Sequence, residues 1–83
     1  DKYLVGFILQ DKGVPRKDYH IVDLNNNNIG YVTSGTMSPS LKKGIGMGYI
    51  MQHQSSVGNI IFIKIRDKKI KAQIVKRPFY DNK

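Results

Sequence analysis

The stretch TSGTMSPSLKKGIGMGYI, Thr33 to Ile50, gathers four glycines around the adjacent lysines Lys42 and Lys43. Glycine beside lysine is one way a chain cradles phosphate: backbone N–H groups approach the anion and the ammonium neutralises it. The order here does not suit that chemistry. A phosphate loop needs G-x-x-x-x-G-K-[ST], with the lysine and hydroxyl opening a helix. In this chain the lysines precede Gly44 and strand-like residues follow. The dinucleotide fingerprint fails too, because Gly44, Gly46 and Gly48 recur at every second residue and no βαβ unit surrounds them. Glycines at bends, or where backbones approach closely in a small barrel, account for the pattern better.

Other chemistry is sparse. His20 and His53 fall in different elements, and there is no cysteine to act as nucleophile or metal ligand. A zinc site takes three or four ligands, and no cluster supplies them, so no metal is expected. The acids are Asp1, Asp11, Asp18, Asp23, Asp67 and Asp81. None pairs at a spacing suited to acid–base work. Asp23 and Asp67 lie at turns, where aspartate usually serves the backbone. These features argue against a stand-alone enzyme. The net charge of +8 instead favours an acidic partner, whether nucleic acid, an anionic surface or an acidic protein.

The elements that carry these residues read as strands. Lys2 to Gln10 alternates, with Tyr3, Val5, Phe7 and Leu9 on one face. Asp11 to Asp18 (DKGVPRKD) is a loop. Tyr19 to Asp23 and Ile29 to Ser34 form a hairpin across the asparagine run Asn25 to Asn28. Ser38-Pro39 has the form of an N-cap followed by proline at the first helical position, which predicts one helical turn over Pro39 to Lys42. Gly44 to Met51 is a strand, and Gln52 to Asn59 a polar connection with room for one short turn. Tyr3, Phe7, Tyr19, Tyr31 and Tyr49 mostly occupy positions that core packing would use. Short strands with frequent turns predict an all-β barrel or sandwich.

Ile60 to Arg66 and Lys69 to Arg77 form the last hairpin. A turn at Asp67-Lys68 would set Ile65 against Ile70, Ile63 against Ala72 and Ile61 against Ile74, one continuous apolar face. The other face would set Arg66 against Lys69, Lys64 against Lys71, and Phe62 against Gln73. Like charges directly opposite cost a few tenths of a kcal/mol, roughly the size of a cross-strand pair term. The four basic residues either meet an anionic partner or lie solvated along the sheet. A single aromatic among them does not favour nucleic acid, which asks for several stacking rings.

At 83 residues the chain is one small domain, too short for a deep active site of its own. No apolar run approaches the roughly 20 residues that span a bilayer, so no membrane partner is expected. The chain starts at Asp1 and reads as a piece of something longer.

Three stretches resemble a known family. LVGFILQDKGVPRKDYHIVD (Leu4 to Asp23) is similar to the opening of the C-terminal domain of the glycine cleavage system T-protein, an aminomethyltransferase. IGYVTSGTMSPSLKKGIGMGYI (Ile29 to Ile50) resembles that family's T-S-G-x-x-S-P-x-L signature, on Thr33, Ser34, Gly35, Ser38, Pro39 and Leu41. IFIKIRDKKIKAQIVKRPFY (Ile61 to Tyr80) resembles its closing hairpin and its basic-Pro-Phe ending. The resemblance implies a small six-stranded Greek-key-type barrel with one or two short helical turns. Residues 1–83 would be the single C-terminal barrel domain of a longer enzyme. That enzyme would move the methylene of a lipoyl-bound aminomethyl group to tetrahydrofolate and release ammonia, in glycine catabolism. Its catalytic groups and most folate contacts would lie in the N-terminal domains, so this barrel alone would be inactive. Its partners would be those domains and the acidic, lipoylated H-protein. Arg16 matches a recurrent arginine of the family, a candidate for the domain interface or the neighbourhood of the substrate. Lys64, Arg66, Lys69 and Lys71 would face the carrier. The location would be the cytoplasm in bacteria or the mitochondrial matrix in eukaryotes, with bacteria favoured.

Overall fold

In a computed structural model, residues 1–76 are described. The basic-Pro-Phe ending at Arg77, Pro78 and Phe79 lies outside them. The elements run β1 (Lys2–Leu9), β2 (His20–Val22), β3 (Asn28–Ser38), β4 (Lys43–Met51), a 3₁₀ turn (Gln52–Gln54), β5 (Ile60–Ile65) and β6 (Lys68–Val75). They close into an antiparallel barrel of spatial order β1-β4-β3-β2-β5-β6. Strands β2, β3 and β4 form a meander, β1 returns beside β4 and β5 returns beside β2, which makes two overlapping Greek keys. Closure pairs the first strand with the last, Phe7 with Ile74, so no sheet edge is left open.

The alternation read from the sequence sets the interior. Val5, Phe7 and Leu9 of β1 are buried, and Tyr3 continues their face at the barrel mouth, half exposed. Phe7, Leu9, Ile21, Ile50, Ile61, Ile63 and Ile74 are essentially sealed from solvent. Each such side chain contributes about 1.5–3 kcal/mol relative to exposure. A six-stranded barrel is narrow, so large side chains on one wall require small ones on the other. Strand β4 supplies the small wall: a Cβ added to Gly46 would lie 2.8 Å from the Phe7 ring. The glycines at alternate positions thus face inward and make room for the core.

Two connections cover the ends. Residues 10–19 cross the end where Leu9, Ile65 and Ile70 finish, with Gly13 lying over them and Pro15 buried. Residues 52–59 cross the other end, where Gly58 N–H donates to the Ile74 carbonyl at 2.8 Å.

Several expectations need correction. The last hairpin turns at Arg66-Asp67 rather than Asp67-Lys68, and its register differs by two residues: Ile63 faces Ile70, Ile61 faces Ala72, Lys64 faces Lys69 and Phe62 faces Lys71. Arg66 leaves the strand and takes a positive φ of 59° in the turn. Pro39 to Lys42 makes the single turn expected, closed by Lys42 N–H on the Ser38 carbonyl, and does not extend into a helix; the 3₁₀ turn at Gln52–Gln54 is the assigned helical segment among the described residues. Strand β3 runs on to Ser38, well beyond Ser34, through a bulge between Val32 and Ser34.

Candidate functional site

The T-S-G signature sits where β3 meets the loop that carries Arg16. At the bulge, the Thr33 hydroxyl donates to the Met47 carbonyl at 3.2 Å, bridging to β4. On the strand's other side Val32 N–H donates to the Tyr19 carbonyl at 2.9 Å and the Val32 carbonyl accepts from Asp18 N–H at 2.8 Å, extending the β2–β3 pairing into the loop. Gly35 then permits the loop to lie directly on the strand: an added Cβ would strike the Pro15 carbonyl and come within 2.9 Å of Pro15 Cγ. Gly44 opposite does the same for Gly13 and Pro15. Asp18, at φ 75°, turns the chain back, and Tyr19 N–H donates to the Arg16 carbonyl at 3.2 Å. Arg16 is therefore presented outward from a short loop pinned on both sides, with its guanidinium in solvent. A planar fork held this way suits a carboxylate.

The second half of the signature closes the β3–β4 hairpin. Ser38 is buried, and its Oγ accepts from Leu41 N–H at 3.2 Å while its carbonyl accepts from Lys42 N–H at 2.7 Å. This is an N-cap bond serving a tight turn instead of a helix. Lys42 takes φ 57° to end it, while Pro39 and Leu41 point outward. Lys42 is thus a turn residue and Lys43 opens β4, consistent with the failure of the phosphate-loop pattern.

The basic residues occupy a separate surface on β5 and β6. One like-charged pair is directly opposed, Lys64 with Lys69, rather than two. Lys69 is also engaged within the domain: its Nζ lies 5.0 Å from the Phe62 ring centroid and donates to the Leu24 carbonyl at 3.4 Å. The Asn27 backbone N–H, joined by the Asn27 side chain and the Asn25 N–H, lowers the pKa of Asp23, and the Lys69 charge adds a smaller lowering. Lys64, Arg66 and Lys71 extend into solvent. The cross-strand repulsion that suggested an anionic neighbour is partly relieved internally. Phe62 carries Lys69 over its ring, so it is no open platform for a base.

Besides Tyr3, half exposed at the barrel mouth, two aromatics expected in the core lie outside it. Tyr31 and Tyr49 face each other across β3 and β4 on the outer surface, ring centroids 5.8 Å apart, at 42% and 37% exposure. The inward glycines preceding Tyr49 carry the signal that sequence reasoning missed: if Gly46 and Gly48 face in, Tyr49 must face out.

The signature, the hairpin and the barrel order can be set beside known proteins. A model of the glycine cleavage T-protein C-terminal barrel domain matches residues 2–81. The chain belongs to this family. Among similar proteins, an aminomethyltransferase of Flavobacterium psychrophilum is 54% identical over 77 residues, covering 93% of this chain and 21% of that protein. One of Porphyromonas gingivalis is 55% identical over 76 residues, covering 92% and 21%. A crystal structure of glycine cleavage system aminomethyltransferase T from Bartonella henselae superimposes with a TM-score of 0.86 at 32% identity, covering 95% of this chain and 22% of that one. The T-protein barrel here thus spans about a fifth of the length of the curated relatives it matches.

The barrel does not fit a folate within it. Its axis is filled by Phe7, Leu9 and the isoleucines, and among the described residues no group of side chains could hold a metal. No helix among them is long and apolar enough to cross a membrane.

Proposed function

We propose that this barrel is the C-terminal domain of an aminomethyltransferase of the glycine cleavage system. The parent would transfer the methylene of a lipoyl-bound aminomethyl group to tetrahydrofolate and release ammonia. The observation that carries the reading is identity above one half, spread over more than nine-tenths of the barrel, to proteins named for that activity. The filled interior supports an accessory role: the acceptor and the reacting groups would sit in the preceding part of the parent chain. Arg16, offered from a pinned loop, is the barrel's best-placed group for a carboxylate on another domain or on the substrate. The exposed Lys64, Arg66 and Lys71, with Lys69 behind them, would meet the acidic H-protein. The bacterial sources of the relatives support a cytoplasmic location.

The test is to express the full parent chain and measure ammonia release with aminomethyl-loaded lipoyl carrier, with and without tetrahydrofolate. Folate-dependent release is expected. A folded parent that releases no ammonia under either condition overturns the reading.

A further inference from the structure

A groove of about 600 Å³ opens at the end of the barrel that residues 10–19 cross. Its floor is backbone: Gly13 of the loop meets Gly44 of β4, and the Gly13 carbonyl stands where a Gly44 side chain would be. Its walls carry Lys12 from the loop and Lys42 and Lys43 from the β3–β4 hairpin, all exposed, with Met37 as an apolar side and Asp11 as the acid. Three ammonium groups against one carboxylate leave the groove cationic at neutral pH. Lys69 shows how this chain engages a lysine internally, over a ring and onto a carbonyl. Among the described residues no such partner reaches the Nζ of Lys12, Lys42 or Lys43. Lys42 is moreover held at φ 57°, a conformation that glycine or asparagine adopts more readily.

The lining narrows the ligand. Like charges gathered round a concavity favour an anion. The volume is that of a small-molecule site rather than of a flat protein contact. No aromatic side chain lines it, so it has no platform for a base or a ring system. Its cations are lysines, point charges on flexible stems, rather than the fork that grips one carboxylate in two places. Such a set suits several carboxylates on a flexible chain. We propose that this groove is a subsite for an oligocarboxylate chain, the γ-linked glutamyl tail of the folate acceptor, an inference that rests on the proposed function. Tetrahydrofolate ends in a glutamate, and further glutamates extend it as a row of carboxylates. The packed interior excludes its ring system, so the barrel meets the acceptor at its tail. Arg16, four residues after Lys12 and just past the buried Pro15, offers its fork from the same loop. Lys12, Lys42 and Lys43 hold the carboxylates beyond the first.

Equilibrium binding to the full parent chain tests the inference, with tetrahydropteroyl monoglutamate and pentaglutamate as the probes. The pentaglutamate is expected to bind on the order of tenfold more tightly, as a few exposed ion pairs allow, and the advantage should shrink as salt rises. Lys12→Gln with Lys42→Gln and Lys43→Gln should remove the advantage and leave monoglutamate affinity within about twofold. Lys64→Gln with Lys71→Gln removes charge elsewhere and should leave the advantage intact. Lys12→Gln alone spares the β3–β4 turn, so it keeps the test independent of that turn's folding; it should cut the advantage about threefold. No advantage in the wild type, or one that survives Lys12→Gln and the triple variant, overturns the proposal. So does an advantage that the Lys64 and Lys71 changes remove equally. A triple variant that keeps the advantage but loses affinity for the lipoyl carrier also overturns it, since the groove then serves an acidic protein. Failure of the inference and failure of the function are distinguishable: an active parent without the preference sinks only the groove, and a parent that prefers the pentaglutamate but releases no ammonia sinks only the transferase reading.

Discussion

The Pro15 carbonyl rests directly on Gly35, in a gap that no side chain could share. Pro15 itself is buried, so the contact holds the loop shut over the end of the barrel. Gly35→Ala should therefore displace the loop and cost roughly 1–3 kcal/mol, the usual range for overpacking. Thermal unfolding checks this. An unchanged midpoint would mean the loop gives way freely and does not position Arg16.

Arg16 makes the complementary case. It is exposed, and its loop is held by backbone bonds and by Pro15 rather than by the arginine side chain, so Arg16→Ala should leave barrel stability within about 0.5 kcal/mol. If it meets a carboxylate across an interface or on the substrate, the same change should lower parent activity well beyond that. Arg16→Lys should restore little, because the planar fork is lost. Full activity in both variants would identify a solvated side chain.

For the basic hairpin, Lys64→Glu with Lys71→Glu should weaken carrier binding at low salt, and the difference from wild type should shrink as salt rises. Unchanged affinity at low salt refutes the carrier role for these residues. Lys69 should behave differently from its neighbours. Lys69→Met removes the contact over Phe62 and the bond to the Leu24 carbonyl, so it should cost about 0.5–1 kcal/mol of stability even without a carrier.

Asp23 gives a pH prediction. Its pKa is lowered chiefly by the Asn27 backbone N–H, so its folded value lies below the unfolded one. The stability it lends is fully present above the unfolded pKa and is lost as pH falls through the folded value. Carboxyl NMR titration should find it below the ordinary aspartate value of 3.8. Asp23→Asn keeps an acceptor for the turn but should abolish this part of the acid sensitivity. An ordinary titration midpoint for Asp23 would refute the assignment.

Much of the barrel was legible because strand parity is a strong signal. The inward set of β1 and the β2–β3 hairpin follow from alternation and from turn residues. The last hairpin shows the limit of that signal. A shift of two residues keeps every side chain on its face, so the apolar pattern cannot tell one such register from the next. The choice falls to the turn, where Arg66 takes a left-handed conformation that its residue type does not announce. The extension of β3 was hidden because Thr33 to Thr36 carries no apolar alternation and the bulge resets the phase. The seat of Pro15 on Gly35 is a contact with backbone, which side-chain pattern does not encode.

Closure of β1 on β6 also has a consequence for synthesis. The first strand of this domain to leave the ribosome must wait for the last before its open side is paired. Until then the nascent domain exposes two sticky strand margins, one on β1 and one on β5. A stop codon or proteolytic cut before Lys68 would make that waiting state permanent, and loss of only the final strand would turn a closed domain into a template for aggregation.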